Sequence, residues 1–221
     1  MKIEQVEAQF PTTTIDTATF LRRMFTDPHF QQTVQEKMGH TKVNVGEWLP
    51  TTTTSTTSTS KNEQEKNEKN FENEKNEEKI QKTTYQRTIT FEAPVQVPPT
   101  VQSFLNLKTT SAMSRAILTV IGAENCPDRL EGSSIMSMLS GALKDNMTVH
   151  VDWSLSHVNC DKSQPLVFKV EIRSEFRKKV PMVQSVLEKT SAAAAKKTYE
   201  TWIGMANEVC KQYAAETTVV Q

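Results

Sequence analysis

From Leu166 to Phe176 the chain alternates apolar and polar side chains with period two. Leu166, Phe168, Val170, Ile172 and Phe176 fall on one face, and Lys169, Glu171, Arg173 and Glu175 on the other. This pattern predicts an antiparallel strand with one covered and one wet face. Val149, Val151, Trp153 and Leu155 alternate with His150, Asp152, Ser154 and Ser156 in the same way, as does the stretch from Tyr85 to Ala93. Val6, Ala8 and Phe10 mark a first strand that stops at Pro11, and Thr41 to Leu49 reads as a second. Ala116 to Ala123 is an apolar strand, while Ile135 to Leu143 fits a strand or a short helix equally well.

Two stretches carry the helical period instead. Thr14 or Asp16 is placed to cap a helix bearing Phe20, Leu21, Met24 and Phe25. Asp27-Pro28 restarts it, with Asp as N-cap and Pro at the first helical position, and Gly39 stops it. Thr100 to Leu107 fits a short helix. Beyond Val180-Pro181 an Ala-rich amphipathic pattern runs to about Ala215. A helix of roughly 30 residues is about 45 Å long, enough to cross a whole sheet. Strand, helices, several antiparallel strands and one long helix make an α+β layout with the helices on one face. A sheet gripping one long helix leaves a hollow between them, and an apolar hollow suits a lipid.

Composition interrupts this order once. Thr51 to Ser60 contains only Thr and Ser, and Lys61 to Lys79 is almost wholly Lys, Asn, Glu and Gln. Such a stretch buries too little apolar area to offset an ordering cost of roughly 1–2 kcal/mol per residue. Residues 51–82 are therefore expected to be a disordered insertion in one domain made of 1–50 and 83–215, with 216–221 a flexible tail. Lys+Arg 26 balance Asp+Glu 26, so the bulk basic excess typical of nucleic-acid binding is missing. Cys126, Cys160 and Cys210 are odd in number and unpaired in spacing, as in a reducing compartment. The N-terminal MKIEQVEAQF lacks the apolar stretch of a signal peptide, and no run reaches the length of a membrane span. A cytoplasmic monomer in peripheral contact with membranes is the expectation.

Three local patterns, in this order, resemble the START-like helix-grip superfamily and within it the VASt domain of sterol-transfer proteins. They are Phe25-Thr-Asp-Pro-His-Phe30, then Gly46-Glu-Trp48 separated by the insertion from Arg87-Thr-Ile-Thr-Phe91, then Val180-Pro181 before the last helix. At Met182-Val-Gln-Ser-Val-Leu-Glu188 the pattern departs from VASt and is closer to the wider START-like family. The resemblance implies a curved antiparallel sheet wrapped around the C-terminal helix, with a sterol or other hydrophobic lipid held between them. The membrane anchor and lipid-reading domain that often accompany VASt are not in this chain, so binding is implied more strongly than transfer.

The expected ligand-binding residues are Arg87, Tyr85, Phe91, Trp153, Phe168, Val183, Leu187 and Trp202. Arg87 shares a strand face with Tyr85, Ile89 and Phe91. If that face lines the cavity, its guanidinium holds a ligand hydroxyl or head group, or else pairs with a carboxylate such as Glu47. Met113, Met136, Met138, Met147, Met182 and Met205 are soft apolar surface for a cavity wall or a core. Ala192-Ala-Ala-Ala195 removes bulk from the helix, and Lys196-Lys197 beside it suit a solvated face. His29, His40, His150 and His157 lack metal spacing, and His157-x-x-Cys160 is a single pair where zinc needs more ligands. No nucleophile-base arrangement or phosphate-cradling glycine loop is present. A binding protein without enzymatic activity, metal or cofactor is expected; a protein-interaction module with a filled hollow and a helix-grip enzyme are the alternatives.

Overall fold

The computed structural model describes residues 3–11, 15–57, 79–94, 99, 103, 109–123, 126–140, 143–144, 146–157, 164–179 and 183–218. The strands are β1 (Ile3–Phe10), β2 (Thr41–Val45), β3 (Leu49–Thr57), β4 (Lys79–Pro94), β5 (Thr109–Ala123), β6 (Cys126–Met138), β7 (Met147–His157) and β8 (Leu166–Phe176). They form one curved antiparallel sheet in the order β1-β8-β7-β6-β5-β4-β2, with β3 also on β4. The helices are α1 (Thr17–Phe20), continued by a π-helical turn over Leu21–Thr26, then α2 (Pro28–Lys37) and the long α3 (Gln184–Thr218). α3 packs against β1, β7, β8 and α2.

The periodic strands form where alternation marks them. Along β8 Leu166, Phe168, Val170 and Ile172 are buried, and along β7 Val149, Val151 and Leu155. The opposite face carries cross-strand ion pairs, Lys169 with Glu7 at 3.7 Å and Arg173 with Asp152, and His150 Nε2 lies 3.3 Å from Glu175 Oε2. Asp16 and Asp27 cap the two helical segments through their carboxylates, to Thr19 N–H and His29 N–H at 2.8 Å each. Gly39, at φ +77°, takes the left-handed conformation that ends α2.

Several element bounds differ from those expected. Disorder was expected from residue 51 to 82, yet Leu49–Thr57 pairs with Lys79–Gln86, with a register shift between Pro50 and Thr52 and Thr57 opposite Lys79. Thr is β-branched and suits a pleated surface, and pairing along β4 gives partners to the backbone groups that face that strand. Residues 58–78 lie outside the described residues. Thr41–Leu49 is two strands, broken at Gly46–Trp48, where Gly46 N–H still donates to Thr88 O at 2.9 Å. Ile135–Met138 is the end of the long strand β6, and β5 begins at Thr109, seven residues before Ala116. α3 continues to Thr218, past the expected helix end at Ala215. The short helix expected over 100–107 and the Val180-Pro181 step lie outside the described residues, Ser103 excepted, which is helical.

Candidate functional site

Cross-strand register puts the smallest side chains of the inner face side by side. Arg87 opposes Ala116, which opposes Ser134, then Val151. The next row runs Ile89, Ser114, Met136, Val149, and the one beyond it Phe91, Ala112, Met138. Above this patch α3 presents Leu187, Thr190, Ser191, Ala194, Ala195, Thr198 and Tyr199, spaced three and four apart as one helical face requires. Alanine and serine on both sides leave the gap between the layers unfilled. The result is a cavity of about 200 Å³, walled also by Met136, Met138, Met147, Val149, Leu143 and Phe91. His40 closes one side: its ring stacks on Phe91 at 4.4 Å, its Nδ1 lies 2.6 Å from Gln35 Oε1, and burial lowers its pKa.

A second, smaller recess of about 90 Å³ adjoins the first, sharing Gln35, Ser114, Ser134, Thr198 and Tyr199 as common walls. Arg87 lines it, 5% exposed. Its position follows from the break in the preceding helix. The π-helical turn, where Asp27 N–H reaches back to Arg22 O at 3.1 Å, leaves the carbonyls of Met24 and Phe25 for side chains. Gln31 Nε2 donates to Met24 O at 2.6 Å. Phe25 O accepts both Trp48 Nε1–H at 2.8 Å and Arg87 Nη1–H at 3.0 Å. The guanidinium also stands 4.3 Å from the centre of the Trp48 ring, a cation–π contact. Phe25, Gly46-Glu-Trp48 and the Arg87 strand, distant in sequence, thus meet at one carbonyl.

The expected partner Glu47 is exposed, and among the described residues no carboxylate comes within ion-pair distance of Arg87. Glu47 is thereby removed as its partner. Arg87 Nε has no hydrogen-bond partner among the described residues. Burial lowers the guanidinium pKa to about 10, with the nearby Tyr199 hydroxyl acting in the opposite sense, so the group is charged at neutral pH. Burial likewise pushes the Tyr199 phenol up to about 12, while a hydrogen bond to Ser134 and the charge of Arg87 oppose the rise. A buried cation with one donor idle and no counter-charge costs several kcal/mol.

The structure separates the eight residues expected to bind ligand. Phe91 and Leu187 line the larger cavity, and Arg87, Trp153, Phe168 and Trp202 the recess. Those three aromatics belong to a packed cluster: Phe25 stacks on Trp153 at 4.5 Å, Phe168 on Trp202 at 4.8 Å, and Phe30 meets Trp202 edge-on at 5.8 Å. Tyr85 and Val183 pack against the core and line neither space. Of the methionines, 136, 138 and 147 wall the cavity and Met205 lies in the core. Sequence reasoning missed Ala112, Ser114, Ser134 and Tyr199. The signal available was Ala112-x-Ser114-x-Ala116, small side chains at strand spacing.

His157 is buried, its Nε2 3.1 Å from Thr17 Oγ1 and its Nδ1 2.9 Å from Gln164 O, so it ties β7 to α1. Among the described residues no group of His, Cys, Asp and Glu is placed to hold a metal ion, and no helix is long and apolar enough to cross a membrane. No protein-family model matches the chain, and no curated protein matches it.

Proposed function

We propose that this protein is a START-like, helix-grip binder of a hydrophobic small molecule, held between the inner face of the sheet and α3. One observation carries the reading: the roughly 200 Å³ cavity walled by Met136, Met138, Met147, Val149 and Leu187. Its methionines adapt to more than one apolar shape, and burial of apolar area at about 25 cal/mol per Å² supplies the driving force. Pockets for drug-sized ligands span roughly 300–1,000 Å³. The volume therefore favours a slender lipid or a compact apolar molecule. A rigid sterol requires α3 to move outward.

Native mass spectrometry of the protein purified from cells, followed by titration with a fluorescent fatty acid and a fluorescent sterol, tests this. A co-purifying lipid, or fatty-acid uptake exceeding sterol uptake, is the expected result. A clean apo mass with no uptake of either rejects the binding role. A protein-interaction module is the second reading, favoured by Ile117 and Ile135, which are 42% and 44% exposed on the outward face of adjacent strands.

A further inference from the structure

The idle donor of Arg87 restricts what the cavity holds. A ligand hydroxyl could accept from Nε–H, but it would leave the buried positive charge uncompensated. An anion does both. Arg87 is also the one guanidinium or ammonium group among the residues lining the two spaces, so a single negative charge balances it. Charge-assisted hydrogen bonds from a guanidinium suit the flat edge of a carboxylate. Nη1 already serves Phe25 O, which leaves the Nε side of the fork facing a partner of this kind.

Resting on the binding role proposed above, we propose that the ligand is an apolar monocarboxylate, its carboxylate at Arg87 in the recess and its body in the larger cavity. The carboxylate lies against the shared wall of Ser134, Thr198 and Tyr199. Trp48 and the Phe25 carbonyl hold the guanidinium in place before the ligand arrives, so little ordering is needed on binding.

Decanoate and decan-1-ol, equal in chain length and different in charge, test the assignment by calorimetry on the full chain at pH 7.5. The expectation is that decanoate binds at least about tenfold tighter, the ratio a charge-assisted hydrogen bond supplies. In Arg87→Met the two affinities converge. If decanoate and decanol bind the wild type equally, the carboxylate assignment falls while apolar binding stands; if neither binds, the binding role itself falls. Should Arg87→Met not fold, carboxyl-13C decanoate bound to the wild type decides by NMR. Its carboxyl should stay ionised to lower pH than in free decanoate, and protonation at or above the free value overturns the assignment.

Discussion

The two ends of the space between sheet and α3 are built on opposite plans. Toward Trp202 it is filled: Phe20, Phe25, Phe30 and Phe168 surround the indole ring and Trp153 packs on Phe25 and Phe168, with centroids 4.5–6.2 Å apart along the cluster. Toward Leu187 it is open, because Ala112, Ser114 and Ser134 below face Ala194 and Ala195 above. Sheet and α3 contribute to both ends, but the filled end also receives Phe20, Phe25 and Phe30 from the N-terminal helical segments, so the ends differ in the bulk of the side chains brought to them. A helix anchored at one end by aromatic packing leaves room at the other for a guest, and Arg87 lies where the two regimes meet.

The largest effect should come from breaking the filled end. Trp202→Ala should destabilise by about 3–5 kcal/mol in urea unfolding, since the surrounding rings cannot collapse into the void. Gly132 belongs to the same end: a Cβ there would collide with the Trp153 ring, so Gly132→Ala should also lower the urea midpoint. Next in size is a paired test on α3. Ala192 is fully buried and lines no cavity, so Ala192→Leu should cost about 1–3 kcal/mol by overpacking. Ala194 faces the hollow, so Ala194→Leu should leave stability unchanged or raise it by about 0.5–2 kcal/mol while abolishing the proposed lipid uptake.

At the junction the expected signal is a pH dependence. Tyr199 ionises near pH 12 when folded and near 10 when unfolded, so its contribution to stability is complete below pH 10 and is lost as pH rises toward 12. Tyr199→Phe should flatten that alkaline loss in unfolding titrations. Arg87 acts in the opposite sense: pulled down to about 10, it carries a folding penalty below that pH, which is relieved as pH climbs toward the unfolded value. The smallest effect concerns Cys210, buried in the filled end with Trp202 and Ala206. Burial raises its thiol to about 11, so alkylation mapped by mass spectrometry should leave Cys210 unmodified until the chain unfolds.

Much of the frame was legible because burial writes itself as period. β1, β7 and β8 alternate cleanly, and Asp16, Asp27-Pro28 and Gly39 punctuate the helices as capping chemistry requires. The early part of β6 was hidden: Asp128-Arg-Leu-Glu-Gly-Ser-Ser134 has a single apolar position, Leu130, to mark the buried face. The Thr-rich flank of the insertion was misread because composition reports the absence of a core, whereas strand pairing needs only a backbone partner. For the site, Arg87, Phe91 and Leu187 could be chosen from the sequence. Trp153, Phe168 and Trp202 could be chosen too, but not their packing on one another.

By itself the sequence determined which residues turn inward, since the choice between faces follows from covalent alternation along a strand or helix. It also determined that a positive charge, Arg87, would sit on an inner face. Tertiary structure alone decided where the interior is solid and where it is hollow. That outcome depends on which small side chains become neighbours across the ladder and beneath α3, and register between distant segments sets those neighbours. It decided as well that Arg87 meets a carbonyl and an indole ring in place of a carboxylate, because the π-helical turn and the Gly46–Trp48 break bring those groups to it from elsewhere in the chain.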